Sequence, residues 1–350
     1  MRFAITLNME RLEPSLDIRE AARSVDELAA MADEGGFDII FVPEHHAIEM
    51  TIGPNPFIQL AHWARELPNA RLGTAVIAAP YWHPIRLAGE AALFDLLSGG
   101  RLELGIGRGA YQYEFDRMGG GIDPDHARGA LAELVPAVKA LWRGDYEHRG
   151  SLWSFPAATA VPKPLQSPHP PIWIAARHPA VFDFAVREGC DVMATPLSQP
   201  FEEVVSLRQR LDAALSEHPD ARRPRFMVLR DTCVYEDADD WRAPVDSFLD
   251  HARHFETLFR NVGGVVNGFA EPADLESFSD RENFRPESLR DNLMFGTPSE
   301  VVDKLRAYEE AGVDYFLYGS CFGLDPELSR RSLELFISEV MPAFVASGVS

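Results

Sequence analysis

Gly36-Phe37-Asp38-Ile39-Ile40-Phe41-Val42-Pro43-Glu44-His45-His46 is the stretch on which the reading of this 350-residue chain turns. Ile39 to Val42 is a run of strand-forming apolar residues. It stops at Pro43, which has no N–H to donate to a sheet ladder. Three groups able to carry protons follow at once: Glu44, His45 and His46. A buried strand with ionisable residues at its carboxyl end is how α/β folds place their chemistry.

Outward from this point the chain alternates. Arg2 to Leu7 reads as a strand. Arg19 to Asp33, with Ala22, Val25, Leu28, Ala29 and Ala32 at helical spacing, reads as a helix closed by Gly35-Gly36. Helices follow at Phe57–Leu67 and Pro84–Leu97, with strands at Ala70–Ala78 and Arg101–Gly107. Ala127 to Trp142 is helical, Tyr146 to Phe155 reads as a small hairpin, and Pro162 to Pro171 as an extended connector. Further strands are expected at Ile172–Ala176, Asp191–Thr195, Arg225–Val234 and Tyr315–Tyr318. Helices are expected at Ala180–Glu188, Phe201–Leu215, Ser299–Ala311 and Pro326–Val345. With no break in composition, the pattern predicts an α/β fold, a single (β/α)₈ barrel over residues 1–350. Residues 237–292 are too long for an ordinary connection. They form an insertion after the seventh strand, read either as a lid over the catalytic face or as a peripheral decoration.

A formal net charge of −21 argues against nucleic acid as a partner, because phosphates need a basic face. No run approaches the ~18 apolar residues of a membrane span, and no signal-peptide core fits the N-terminus. A soluble, cytoplasmic protein is expected. Cys190, Cys233 and Cys321 are too few and scattered for a disulfide framework or a zinc site.

Glu44-His45-His46 admits three readings: metal ligation, a structural hydrogen bond at the barrel rim, or acid/base work by a histidine oriented by Glu44 or another neighbour. Adjacent loop residues rarely both ligate, and no second histidine pair occurs, so no metal site is assigned. Gly105-Ile106-Gly107-Arg108-Gly109-Ala110 satisfies G-x-G-x-x-G/A. It falls at the fourth strand, without an obvious helix opening the turn or a ribose-binding acid, so a dinucleotide reading is poor. Close backbone approach with Arg108 bonding an anion fits better, beside a plain packing reading. Arg128 and Arg177-His178 add basic groups near later strand ends, which points to phosphate unless they are surface cations. Tyr81, Trp82, Tyr111, Tyr113 and Phe115 offer an apolar wall for a flat ring.

Taken in order, these segments resemble the bacterial luciferase-like flavin monooxygenase family. The resemblance rests on Gly-Phe-Asp before Glu44-His45-His46, on Gly73-Thr74-Ala75-Val76-Ile77 and on His83-Pro84-Ile85-Arg86. Gly100-Arg101-Leu102 through Gly109, Ala127-Arg128-Gly129 through Glu133, Pro171-Ile172-Trp173 and Gly296-Thr297-Pro298 extend it. It implies a TIM barrel with flavin at the carboxyl ends of the strands, and a homodimer formed through the helices after the second and third strands. It also implies reduced FMN supplied by a separate flavin reductase, O₂, and a small apolar organic substrate. An F420-dependent hydride transfer and a non-catalytic flavin-binding protein are the alternatives. Residue by residue, His45 matches the catalytic histidine and Ala75-Val76 a non-prolyl cis peptide behind the flavin. Arg108 matches a phosphate-binding arginine, and Arg128 a second. The cofactor set so implied is Glu44, Ala75, Val76, Gly107, Arg108, Arg128, Ala175, Arg177 and His178, with Tyr81, Trp82 and Tyr111 toward substrate. Gly107 stands where luciferase has cysteine. Arg177-His178-Pro179 stands where the family often has serine or threonine.

Overall fold

In the computed structural model, which describes residues 1–118, 122–274, 278, 280–320 and 322–344, Ile39–Val42 is a strand with all its residues buried. It pairs in parallel with Arg2–Thr6 on one side and Arg71–Thr74 on the other. Burial on both faces is what a parallel strand between a barrel interior and a ring of helices requires. The barrel strands are β1 (Arg2–Thr6), β2 (Ile39–Val42), β3 (Arg71–Thr74), β4 (Leu102–Gly107), β5 (Ile172–Ala175), β6 (Asp191–Ala194), β7 (Phe226–Val234) and β8 (Tyr315–Gly319). Each pairs in parallel with the next, and β8 pairs with β1, so the sheet closes. The fold is a (β/α)₈ TIM barrel with an insertion after β7.

The helices are α1 (Ile18–Glu34), α2 (Pro56–Glu66), α3 (Pro84–Leu97), α4 (Gln112–Arg117), α5 (Pro124–Arg143), α6 (Pro179–Arg187), α7 (Phe201–Glu217), α8 (Arg242–Arg260), α9 (Pro286–Asn292), α10 (Pro298–Glu310) and α11 (Pro326–Leu335). Their starts follow from local chemistry. Asp17, Asn55, His83 and Asp325 each accept a backbone N–H at a helix start, and proline opens α2, α3, α10 and α11, where its missing N–H costs nothing.

Three expectations are corrected. The third strand does not run from Ala70 to Ala78. It ends at Thr74, the Ala75–Val76 peptide is cis, and a two-residue piece, Ile77–Ala78, resumes pairing with β4. The last helix leaves α geometry at Leu335 for a π turn over Phe336–Val340 and a 3₁₀ turn over Met341–Phe344, and its expected end, Val345, lies outside the described residues. A helix does open after the glycine turn, namely α4. Of the cysteines, Cys190 and Cys233 are buried free thiols, and Cys321 lies outside the described residues. Among the described residues no helix is long and apolar enough to cross a membrane.

The barrel interior is filled by Ala4, Ile39, Phe41, Trp173, Met193, Met227, Tyr315 and Leu317. Beneath them sits a charged plug. Glu103, 1% exposed, accepts from the Trp173 indole at 2.6 Å, from Arg71 Nε at 2.5 Å and from Arg225 Nη2 at 3.1 Å. Arg225 also grips Asp191 at 2.7 Å. These residues stand at or near the amino ends of their strands, so the charged plug closes that end of the barrel. The insertion shares a small core with the barrel rim, in which Val245, Phe248 and Leu289 meet Cys233, Tyr235 and Phe322. It returns through a short strand, Met294–Gly296, paired with the end of β7. Parts of the expected insertion, residues 275–277 and 279, lie outside the described residues.

Neutralising one member of a buried ion-paired network strands the others, at a cost of about 3 kcal/mol. Glu103→Gln should therefore lower unfolding stability by that order in a urea titration while leaving cofactor affinity intact. A loss under ~1 kcal/mol would mean the plug does not hold the barrel's lower end.

Candidate functional site

Beyond Pro43 the chain stays extended, so Glu44 and His46 point one way and His45 the other. Glu44 is buried, and its carboxylate is fully used. One oxygen accepts the Ala78 N–H and the Trp82 indole N–H, both at 2.8 Å, and the other meets His46 Nε2 at 2.8 Å. This bond to Glu44 raises the His46 imidazole above its ordinary range, ahead of the opposing effect of burial. Glu44 thus serves His46. Of the expected orienting groups for His45, Glu44 or another neighbour, it is the other neighbour, a second carboxylate, that the structure supplies.

That carboxylate is Glu114 on α4, 2% exposed. His45 Nδ1 lies 3.2 Å from both of its oxygens, and the His46 backbone N–H donates to Oε1 at 2.5 Å. An acceptor on Nδ1 fixes the proton there and leaves Nε2 as the free ring atom. Tyr111, the residue capping α4, lays its ring on His45 with centroids 4.6 Å apart and planes tilted by 32°. Burial pushes the Tyr111 phenol up, so it stays protonated, and it bonds Thr51. Gly109 makes this arrangement possible. Its φ of +85° turns the chain from β4 into α4, and a Cβ there would stand 2.8 Å from the Phe115 ring.

The remaining candidates fall into two groups. Ala75, Val76, Gly107 and Ala175 come together at the upper end of the barrel interior. A Cβ at Gly107 would lie 2.6 Å from Val76 Cγ2 and 3.4 Å from Ala175 Cβ, so the room that the glycine leaves is taken by Val76. Arg108 is half-buried, and burial and then the neighbouring Arg128 push its guanidinium below the usual range. Among the described residues no carboxylate pairs with Arg108. Tyr81 stands edge-on to His46 at 5.3 Å, with its hydroxyl buried and without a partner among the described residues. Trp82 is buried behind Glu44, under Arg86.

Arg177 and His178 belong to neither group. Both are exposed. Arg177 lies 3.9 Å from Glu203, its carbonyl accepts from Arg210, and His178 caps α6 through Nδ1. Glu114 was missed from sequence: nothing local marks a glutamate near the start of a six-residue helix as the partner of a histidine 69 positions away.

Known proteins resemble the chain over nearly its whole length. A family model described as luciferase-like monooxygenase matches residues 1–315. The chain belongs to the luciferase-like monooxygenase family. It is 42% identical over 349 residues to the "Flavin-dependent trigonelline monooxygenase, oxygenase component" of Acinetobacter baylyi, covering 100% of this chain and 97% of that one. Monooxygenase RslO1 from Streptomyces bottropensis superposes with a TM-score of 0.81 at 26% identity, over 98% of this chain and 100% of that one. An F420-dependent secondary alcohol dehydrogenase shares the fold, with a TM-score of 0.76 at 17% identity and 98% of each chain covered. The chain is thus an oxidoreductase, a flavin-dependent monooxygenase of the luciferase-like kind.

Because the folded His46 pKa is raised, its contribution to stability is complete below the unfolded value of 6.5 and is lost as pH rises through the folded value. The difference in Tm between wild type and His46→Gln should therefore be largest near about pH 6 and shrink toward pH 9. A difference that grows with pH would remove the charged His46–Glu44 bond from the account.

Proposed function

We propose that the chain is the oxygenase half of a two-component system, taking reduced FMN from a separate flavin reductase and oxygenating a small organic substrate with O₂. The observation that carries this reading is the half-buried Arg108 guanidinium. It lies beside Arg128 without a carboxylate partner among the described residues, in a chain of net charge −21. Two like cations held together in an acidic protein suit a phosphate. The fit extends inward, where Ala75, Val76, Gly107 and Ala175 present small or flat surfaces to a ring system.

Arg108 and Arg128 would hold the phosphate of FMN, and Val76 and Ala175 would back its ring. Bound there, reduced FMN would supply the two electrons with which O₂ gives one oxygen atom to the substrate and the other to water. His45 would donate or accept a proton at Nε2, held in one tautomer by Glu114, while Glu44 and His46 keep the strand exit in place. Tyr111 and Tyr81 would shape the substrate wall, and the insertion, through Phe255 against Tyr111 at 5.4 Å, would exclude water. A flavin supplied from outside agrees with the poor dinucleotide motif in the chain. Ile58 on α2 and Leu93, Leu96 and Leu97 on α3 are exposed apolar residues. They support a homodimer through these helices. A deazaflavin such as F420 carries a longer anionic tail, for which two arginines are a thin complement.

Titration with FMN, reduced FMN and F420 tests the cofactor, and tight F420 binding without reduced-FMN binding would overturn the reading. Arg108→Ala should weaken FMN by about 1.5–3 kcal/mol, the worth of a charged hydrogen bond. Arg177→Ala, at an exposed side chain, should cost under ~1 kcal/mol. In stopped flow, His45→Ala and Glu114→Gln should both return oxidised-flavin absorbance faster than wild type when the reduced complex meets O₂. Unchanged rates in both would remove the pair from the chemistry. Trigonelline is the first substrate to assay by oxygen uptake.

A further inference from the structure

Along β7, Met227 and Leu229 face the barrel interior, so Asp231 faces it too. Its register partner on β8 is Gly319, and a Cβ there would come within 3.0 Å of Asp231 Oδ1. The glycine leaves the carboxylate its space. Asp231 keeps some accessible area although its carboxyl lies deep, which places it low in the mouth of the barrel. Arg230 points the other way and bonds the Tyr308 hydroxyl and the carbonyls of Leu197 and Gln199, so the adjacent cation is engaged elsewhere. Among the described residues, no other side chain hydrogen-bonds or ion-pairs directly with Asp231; its own backbone N–H does bond it.

The neighbours continue this wall to His45. Glu10, in the segment after β1, meets His251 Nδ1 at 2.7 Å and accepts the Gly323 N–H at 2.7 Å. Glu10 and His251 are both near enough to act on the charge of Asp231. One turn after His251 on α8, Phe255 packs against Tyr111, which lies on His45. Two carboxylates, one imidazole already held by the first carboxylate, and two aromatic rings thus share one surface.

We infer that this wall selects substrates carrying a cationic nitrogen, with Asp231 as counter-ion and Tyr111 and Phe255 as the flanking aromatic faces. The inference rests on the reading of the mouth as the oxygenation site. A neutral apolar substrate would cover Asp231 with only His251, already held by Glu10, to offset its charge, and an anionic one would be repelled. A flat cation answers both the carboxylate and the ring faces. Burial pushes the Asp231 carboxyl up to about 6, against the pull of His251 and Arg230, and a cation seated beside it would draw it back down.

The test titrates the full-length protein, with and without FMN, with N-methylpyridinium and with its neutral relative N-methyl-2-pyridone. Wild type should favour the cation by at least about tenfold, the scale of one partly desolvated ion pair. Asp231→Asn should erase that preference, leave pyridone binding within about twofold and leave FMN affinity unchanged, while Asp231→Glu should keep part of the preference. Equal wild-type affinity for the two probes would overturn the inference, and that comparison needs no variant. A preference kept in Asp231→Asn, or a loss of FMN affinity there, would overturn it as well. Failure of wild type to bind FMN while it still discriminates the probes would sink the cofactor reading and leave the cationic wall standing.

Discussion

One buried carboxylate organises the mouth of this barrel. Glu114 takes the ring nitrogen of His45 and the backbone N–H of His46 together, so a single side chain on the far side of β3 sets both the orientation of an imidazole and the path of the chain that carries it. Glu44 completes the arrangement from the opposite side by holding His46, Trp82 and the Ala78 amide. Carboxylate and imidazole alternate, and each carboxylate has its donors. Removing either one would do more than delete a charge, since it would free a strand exit.

The same chain handles its charges in opposite ways at its two ends. At the closed end Glu103 and Asp191 are surrounded by Arg71, Arg222 and Arg225. At the open end, among the described residues, Asp231 has no direct ion pair and feels His251 and Arg230 only at longer range, and Arg108 has no carboxylate partner. Folding alone gives no reason to leave an acid on one wall and a base on another. Groups satisfied below and unsatisfied above are what separates a structural seal from a surface awaiting a ligand.

Much of this was legible in the sequence because the barrel strands are short apolar runs bounded by glycine or proline, and the helices open with caps that local chemistry dictates. Pro43, Pro84 and Gly35-Gly36 each marked a real boundary. His45 and Arg108 could be nominated because they follow strand ends, and Arg128 because it is a basic group in the helix beyond. Glu114 could not, since its role depends on a turn at Gly109 that folds a six-residue helix back over the exit of β2. Asp231 was hidden differently: inside a nine-residue strand its inward direction shows only once the register with Gly319 is known. The break at Ala75–Val76 also escaped, because Ala70 to Ala78 has the composition of one continuous strand.

The insertion leaves β7 after Val234 and re-enters at Gly296, and these two residues are partners in the same ladder. Lys304 reinforces the return by donating to the carbonyls of Arg290, Leu293 and Phe295. A segment whose two ends are stapled side by side can lengthen or shorten at little entropic penalty, roughly 0.6 kcal/mol for each doubling. Its apolar residues are anchored on the barrel rim through Cys233, Tyr235 and Phe322. His251 and Phe255, which face the mouth, both ride on this segment. The eight barrel strands can therefore keep their register while this segment changes in length, which makes the stretch a natural seam for insertion.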